Sequence, residues 1–366
     1  MTRKGAGEIL RNIYSVFMEA SRKLREIFTG HLFRVEKMIA PPVDGHHRQI
    51  DYLRISITDR CNLRCIYCMP SQGVSRLSHA EILSYEEILR LARIAVEMGI
   101  TKIRITGGEP LVRRNVIHLC ESLSVMRGVS SLSITTNGVL LDRYASALRR
   151  AGIKRVNISL DTLKPSRFSS ITKVDCFSEV WRGIEAAEKA GFSPIKLNVV
   201  VMRGVNDDEV EEMALLTRHN PFHVRFIEFM PFPSSASQKQ FVSSHEMIER
   251  ISRLGELLPF ESQNSNGPAR YFRLKGALGK IGIISPFSQH FCPTCNRMRL
   301  TADGKLRTCL FSRGETDLRA LLRRKASDEE LVQVIGQAIL SKPERHTLDW
   351  EVLHKCISRP MVNIGG

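Results

Sequence analysis

Residues 52–70, YLRISITDRCNLRCIYCMP, join a β-strand period to a cluster of thiols. Leu53, Ile55 and Ile57 fall on one side of the run and Arg54, Ser56 and Thr58 on the other, the two-residue alternation of a strand. Asp59 and Arg60 end it, and Cys61, Cys65 and Cys68 follow within one short segment. Thiolates are soft ligands suited to iron–sulfur clusters and zinc, and close spacing lets a single loop wrap the metal. A fully ligated structural site needs a fourth protein ligand, and none stands nearby. Either one iron of a four-iron cluster stays open to an outside ligand, or a zinc ion borrows a distant Cys or His.

The strand pattern recurs outward from this stretch. Strands are expected at Tyr52 to Thr58, Lys102 to Thr106, Ser131 to Thr135, Arg155 to Leu160, Ile195 to Val201 and His223 to Ile227, each separated from the next by a helical pattern. Ser84 and Glu87 have capping-box spacing; Gly99, Gly152 and Gly191 stand where helices should stop; Asp207 and Asp208 favour a further helix start. Such alternation argues for parallel βαβ units and an open barrel of six of them. Strands covered on both faces should be continuously apolar, yet these alternate. Lys102, Arg104 and Thr106 share a face with Ser133 and Thr135, then Asn157, Ser159 and Asp161, then Lys196 and Asn198, then His223 and Arg225. If the isoleucines and valines face the helices, the lumen is polar and cationic. Unpaired buried charge is costly, so that lumen calls for water and an anionic ligand. An antiparallel sheet with one wet face is the alternative.

The composition, with 43% hydrophobic and 25% charged residues, is that of an ordinary globular protein. A net charge of +16 points to an anionic partner without choosing among nucleic acid, a membrane surface and a phosphorylated small molecule. No apolar run reaches membrane-spanning length and no secretory signal precedes the domain, so a cytoplasmic enzyme is expected. Of nine cysteines, six fall in two groups, and Cys120, Cys176 and Cys356 read as small buried hydrophobes. Between Glu8 and Phe28 apolar residues recur at helical spacing, but Glu8, Glu19 and Glu26 spoil the acid-poor pattern of a targeting peptide, and Met38 is an alternative start. The expected organisation is an amphipathic extension and linker over 1–43, the barrel over 44–230, a C-terminal region over 231–320 and a helical tail over 321–366.

The segment Cys61 to Cys68 resembles the CxxxCxxC signature of radical S-adenosylmethionine enzymes, and Gly107-Gly108-Glu109-Pro110 after the second strand resembles that superfamily's glycine-rich segment. A second group, Cys292-Pro293-Thr294-Cys295-Asn296-Arg297-Met298-Arg299 with Cys309, is similar to the C-terminal motif of the GTP 3′,8-cyclases of molybdenum cofactor biosynthesis, a likeness running from about Asp44 to Gly366. The fold implied is α/β, a partial, open (β/α)6 TIM-like barrel with a C-terminal α+β region that carries a second cluster. Two [4Fe-4S] clusters are implied, Cys61, Cys65 and Cys68 holding the one that binds S-adenosyl-L-methionine and Cys292, Cys295 and Cys309 the one that meets substrate. By matching positions, Tyr67, Gly108, Ser159 and Met230 contact S-adenosylmethionine, while Arg54, Arg104, Thr135, Lys196, Arg297, Met298 and Arg299 contact GTP; Lys102 and Arg225 are added as phosphate partners. Arg297, Arg299, Gly365 and Gly366 are assigned to catalysis.

The resemblance also implies the chemistry. One electron from the first cluster cleaves S-adenosylmethionine to methionine and a 5′-deoxyadenosyl radical, which takes hydrogen from C3′ of the GTP ribose. The carbon radical then attacks C8 of guanine, and a reducing step with a proton completes 3′,8-cyclo-7,8-dihydro-GTP. An electron donor and a downstream cyclic pyranopterin monophosphate synthase are the implied partners; a homodimer stays open, and neither nucleic acid nor membrane has a role. The chain departs from the family pattern at Pro231-Phe232-Pro233-Ser234-Ser235-Ala236-Ser237, which lacks the expected glycine and tryptophan. A radical enzyme acting on a peptide and a zinc-containing nucleic-acid-binding protein are the alternative functions.

Overall fold

The computed structural model describes residues 40–366 except 71, 231, 233–237, 261–266, 348, 353–358 and 366. The amphipathic pattern between Glu8 and Phe28, Met38, Cys356, Gly366 and most of the departing loop after Met230 lie outside the described residues. Among those described, no helix is long and apolar enough to cross a membrane.

All six expected strands form: β1 (Tyr52–Ser56), β2 (Lys102–Thr106), β3 (Ser131–Thr136), β4 (Arg155–Ser159), β5 (Ile195–Val201) and β6 (His223–Glu228). They lie side by side in chain order and every pair is parallel. The helices between them start and stop as expected. The Ser84 hydroxyl accepts from the Glu87 N–H at 3.1 Å and the Glu87 carboxylate from the Ser84 N–H at 2.8 Å, closing the capping box of the helix Tyr85–Glu97. A short helical turn at Asp207–Glu209 leads into the helix Val210–His219.

Six further strands, unread in the sequence, extend the same sheet at both edges: β7 (Leu257–Phe260), β8 (Ala269–Leu274), β9 (Lys280–Ile284), β10 (Arg297–Leu300), β11 (Lys305–Arg307) and β12 (Thr316–Asp317). β9 pairs parallel with β6 and β10 parallel with β1; β8 and β7 continue antiparallel at one end, β11 and β12 at the other. The result is an open sheet of order β12-β11-β10-β1-β2-β3-β4-β5-β6-β9-β8-β7. The C-terminal region therefore adds walls to the six-unit barrel.

Strand alternation separates core from lumen. Ile55, Ile57, Ile103, Ile105, Ile134, Val156 and Ile158 are buried against Leu91, Leu119, Leu148 and Ile184 of the outer helices. Each such side chain contributes roughly 1.5–3 kcal/mol by leaving water, so stability resides outside the barrel and the inner face is released for chemistry. Cys120 and Cys176 are buried in that outer core, as read from sequence.

Candidate active site

The loop after β1 is tied to its surroundings through its backbone. Arg113 donates to the carbonyls of Ile57 at 2.5 Å and Leu83 at 2.7 Å, the Arg64 N–H bonds Thr172 O at 2.8 Å, and the Ile66 N–H bonds Ile171 O at 3.0 Å. The Gly108 N–H donates to Thr58 O at 2.7 Å, and a β-carbon on Gly108 would overlap the Arg60 carbonyl. Glycine is needed there because strand β2 exits directly against the cysteine loop. Glu109, fully buried, accepts from the Thr136 hydroxyl at 2.8 Å and from the N–H groups of Asn137 at 2.6 Å and Leu111 at 3.0 Å.

Cys61, Cys65 and Cys68 line one end of a cavity of about 1070 Å³. Burial pushes the Cys61 thiol up to about 11, and burial with the charge of Cys61 and Asp161 pushes Cys68 up to about 12. Three half-buried thiolates would repel one another, and a cationic iron core reverses that repulsion, so the donor set fits a cluster. The Tyr67 hydroxyl donates to Asp161 at 2.7 Å, a contact missed in the sequence, and Asp161 also accepts the Val200 N–H at 2.8 Å.

Cys292, Cys295 and Cys309 line the same cavity. Cys292 and Cys295 fall in a turn just before β10, whereas the first triad follows β1, and the two strands run parallel with Tyr52 opposite Arg297. The triads thus stand at opposite ends of neighbouring strands, separated by about one strand length, roughly 16 Å for five residues. Burial works to raise the Cys295 thiol, but Arg297 and Lys342 outweigh it and bring it down to about 6. Cationic neighbours favour the thiolate, the form that ligates iron. His346 Nδ1 lies 3.2 Å from Cys292 Sγ, its other ring nitrogen 3.0 Å from Pro286 O.

Between the triads the wall is strongly basic. Nine Arg and Lys side chains line the cavity and Asp161 is the one carboxylate among the described lining residues. Lys102 is paired with Asp51 at 2.7 Å; among the described residues the other eight have no carboxylate partner. Arg225 is held by Asn157 Oδ1 at 2.6 Å and Arg104 by Ser133 Oγ at 3.3 Å. Burial and the like charges of Arg225 and Arg104 push Lys196 down to about 6. Burial and Arg297 lower Arg299 to about 9. The Nε atoms of Arg54 and Arg225, Thr135 Oγ1, Asn198 Oδ1 and His223 Nδ1 are buried without a hydrogen-bond partner among the described residues. A lumen this polar and this positive has the chemistry of a polyanion site.

Tyr67, Gly108, Ser159 and Met230 line the cavity, and so do Arg54, Lys102, Arg104, Thr135, Lys196, Arg225, Arg297 and Arg299. The structure turns Met298 away. It is 1% exposed and packs with Leu53, Leu91 and Leu300 on the helix side of β10, because alternation places it opposite Arg297 and Arg299. Gly365 arrives from the C-terminus, its carbonyl accepting from Arg299 at 3.2 Å and Arg54 at 3.4 Å. A β-carbon there would press 2.7 Å from Ser56 Cβ, and φ is +82°. Missed in the sequence were Tyr271 of β8, whose ring centroid is 5.6 Å from that of His223, and Lys280 of β9. Their strands carry no signal that ties them to the barrel.

An open parallel sheet with a glycine-backed three-cysteine loop at the end of β1 defines a radical S-adenosylmethionine enzyme, and residues 55–217 match the model of the radical SAM superfamily. Residues 222–348 match Molybdenum Cofactor Synthesis C. The GTP 3′,8-cyclase of Thermodesulfovibrio yellowstonii is 51% identical over 88% of this chain and 99% of its own, and that of Moorella thermoacetica is 50% identical over 88% and 99%. The chain belongs to the GTP 3′,8-cyclase family. Among solved structures, Streptococcus suis SuiB bound to S-adenosylmethionine aligns with a TM-score of 0.53 at 14% identity over 86% of this chain and 72% of that one, and SuiB bound to precursor peptide SuiA with a TM-score of 0.54 at 15% identity over 87% and 72%. That likeness is one of fold.

Gly108→Ala is expected to displace the cysteine loop. Iron analysis after anoxic reconstitution should show loss from the first cluster and S-adenosylmethionine affinity should drop about tenfold or more, in line with the strain of a forced backbone shift. Full iron content with wild-type affinity would refute the close-packing argument.

Proposed function

We propose that this chain converts GTP to 3′,8-cyclo-7,8-dihydro-GTP, the first step of molybdenum cofactor biosynthesis. The observation that carries the proposal is one cavity holding a cysteine triad at either end and nine cationic side chains between. Cys61, Cys65 and Cys68 would hold the first [4Fe-4S] cluster and Cys292, Cys295 and Cys309 the second. When bound, the first cluster and S-adenosylmethionine supply the reducing electron and the hydrogen-abstracting species, and the second cluster supplies a vacant iron for the base.

This chain's own residues orient and neutralise. Gly107 and Gly108 keep side chains out of the space beside the first triad, and Asp161 fixes the Tyr67 ring over it. Arg104, Lys196 and Arg225 face the lumen from three different strands, so they surround a triphosphate rather than touch one side of it. Arg54 and Arg299, bridged through the Gly365 carbonyl, hold the tail where substrate would sit. Met298 would take part through its backbone alone. Pre-set positive charge along the lumen stabilises the polyanion without reorganisation at the moment of reaction. An outside electron donor must supply the reducing equivalents, and cyclic pyranopterin monophosphate synthase is the proposed consumer of the product.

Anoxic turnover with dithionite, S-adenosylmethionine and GTP, read by mass analysis of the nucleotide, tests the assignment. Wild-type protein should form the cyclised nucleotide, and a chain lacking Gly365 and Gly366 should keep both clusters and form none; a wild-type chain that leaves GTP unchanged overturns the function, and an active truncation overturns the role of the tail.

Lys196 makes GTP binding pH-dependent. With its pKa pushed down to about 6 in the free protein, the amine is neutral above that pH, and a neighbouring triphosphate restores the charge. Binding therefore takes up a proton, and affinity falls as pH rises through the window between about 6 and the ordinary lysine value of about 10.4. Calorimetry above about pH 7, in buffers of differing ionisation enthalpy, should show uptake approaching about one proton that Lys196→Met abolishes. Identical uptake in the variant would contradict this.

A further inference from the structure

Lys342 follows the helix Asp328–Leu340 and is 3% exposed. Its ammonium donates to Arg297 O at 3.0 Å and to Thr308 O. Those two carbonyls belong to the segments that carry the second triad: Arg297 lies two residues after Cys295, and Thr308 immediately precedes Cys309. Among the described residues no carboxylate stands within ion-pair distance of Lys342, and the hydrogen bonds of its ammonium go to these two carbonyls. A lysine sunk this deeply without an anion is rare, because burial disfavours its charged form. The charges that favour its protonated form are those of the Cys295 and Cys309 thiolates.

The other cations around this triad, Arg48, Arg297 and Arg299, are placed differently. Arg48 donates to Cys292 O at 2.9 Å but is neutralised by Asp44 at 2.6 Å. Arg297 and Arg299 also bear on Cys295, but both line the cavity, where a bound anion would meet them, and Arg297 lies over the Phe291 ring, 4.7 Å from its centroid. At the first triad the sign is reversed, since Asp161 and Glu109 are the acidic groups bearing on its cysteines. Three thiolates around a doubly positive four-iron core leave net negative charge, which grows on reduction.

We propose that Lys342 is a buried counter-ion of the second cluster, a positioning residue that clamps the Cys295 and Cys309 segments together and raises that cluster's reduction potential relative to a neutral residue in its place. The proposal rests on the reading of Cys292, Cys295 and Cys309 as cluster ligands. A fixed positive charge favours the more negative, reduced state of a nearby centre, and the low local dielectric strengthens the effect. Because the ammonium lies behind the cluster segments and does not line the cavity, it acts on the cluster and leaves the nucleotide's cationic partners in place.

The test uses full-length protein reconstituted without oxygen, with iron counting and a redox titration followed by electron paramagnetic resonance. Lys342→Met and Lys342→Gln should lower the potential of the second cluster, shifting its reduction equilibrium on the order of tenfold, about 59 mV for one electron, with the first cluster unmoved. Lys342→Arg should restore the wild-type value. Unchanged potentials in Met and Gln variants that hold both clusters would overturn the proposal. If the neutral variants shed the second cluster, retention by Lys342→Arg supports a charge requirement and loss by Lys342→Arg overturns it. A chain with Cys292, Cys295 and Cys309 all changed to Ala checks the underlying reading separately: it should lose about half its iron, as one of two four-iron clusters, and full retention would sink the ligand assignment rather than the role of Lys342.

Discussion

Concentrated positive charge inside a protein is the constraint on which this structure turns. Eight of the nine cationic side chains lining the lumen lack a carboxylate partner among the described residues. Such an arrangement raises the energy of the empty chain, since each charge is partly desolvated and each repels the next. The sheet tolerates it because its other face is built mainly of buried apolar side chains packed against helices. Stability and function are thereby assigned to opposite faces of the same strands, and the two-residue period of the strand makes the division.

The same period places the two cysteine segments. A loop leaving β1 and a turn entering β10 belong to neighbouring parallel strands, so their cysteines fall at opposite ends of one cavity with the basic side chains of both strands between them. The C-terminus closes the arrangement. Met361 and Ile364 pack with Phe232 and Phe311 in a small apolar cluster that also touches Cys68 and Cys309, and Gly365 then reaches Arg54 and Arg299. Arg359, bidentate to Asp303 at 3.0 Å for both bonds, anchors the start of that turn. Met361, Ile364 and Gly365 are thus held between the two triads, and only a residue without a β-carbon fits at Gly365 beside Ser56 and Thr106.

Much of this was legible in the sequence. The six central strands show clear alternation, the helix after β1 carries its capping box, and the inward set Arg54, Arg104, Asn157, Lys196 and Arg225 lines the cavity as the pattern requires. The edge strands were not legible. β7 has four residues and β12 two, too few to show a period, and their pairing depends on contacts distant in the chain. Motif matching placed Met298 beside its neighbours Arg297 and Arg299, whereas alternation within β10 puts it behind them. Lys342 offers no sequence signal at all: a lysine just past a helix end ordinarily reads as solvated, and its burial follows from the packing of the C-terminal tail on the second triad.

The claim that lumen charge selects a triphosphate is tested most directly by the anoxic melting temperature of the reconstituted protein with guanosine, GMP, GDP and GTP at one equal ligand concentration. Stabilisation by a ligand reports its preference for the folded state. The melting temperature should climb with each added phosphate, and added salt should erode the climb as it screens the more exposed charges. Equal stabilisation by guanosine and GTP would show that the basic lumen does not read phosphate, and the account would fail.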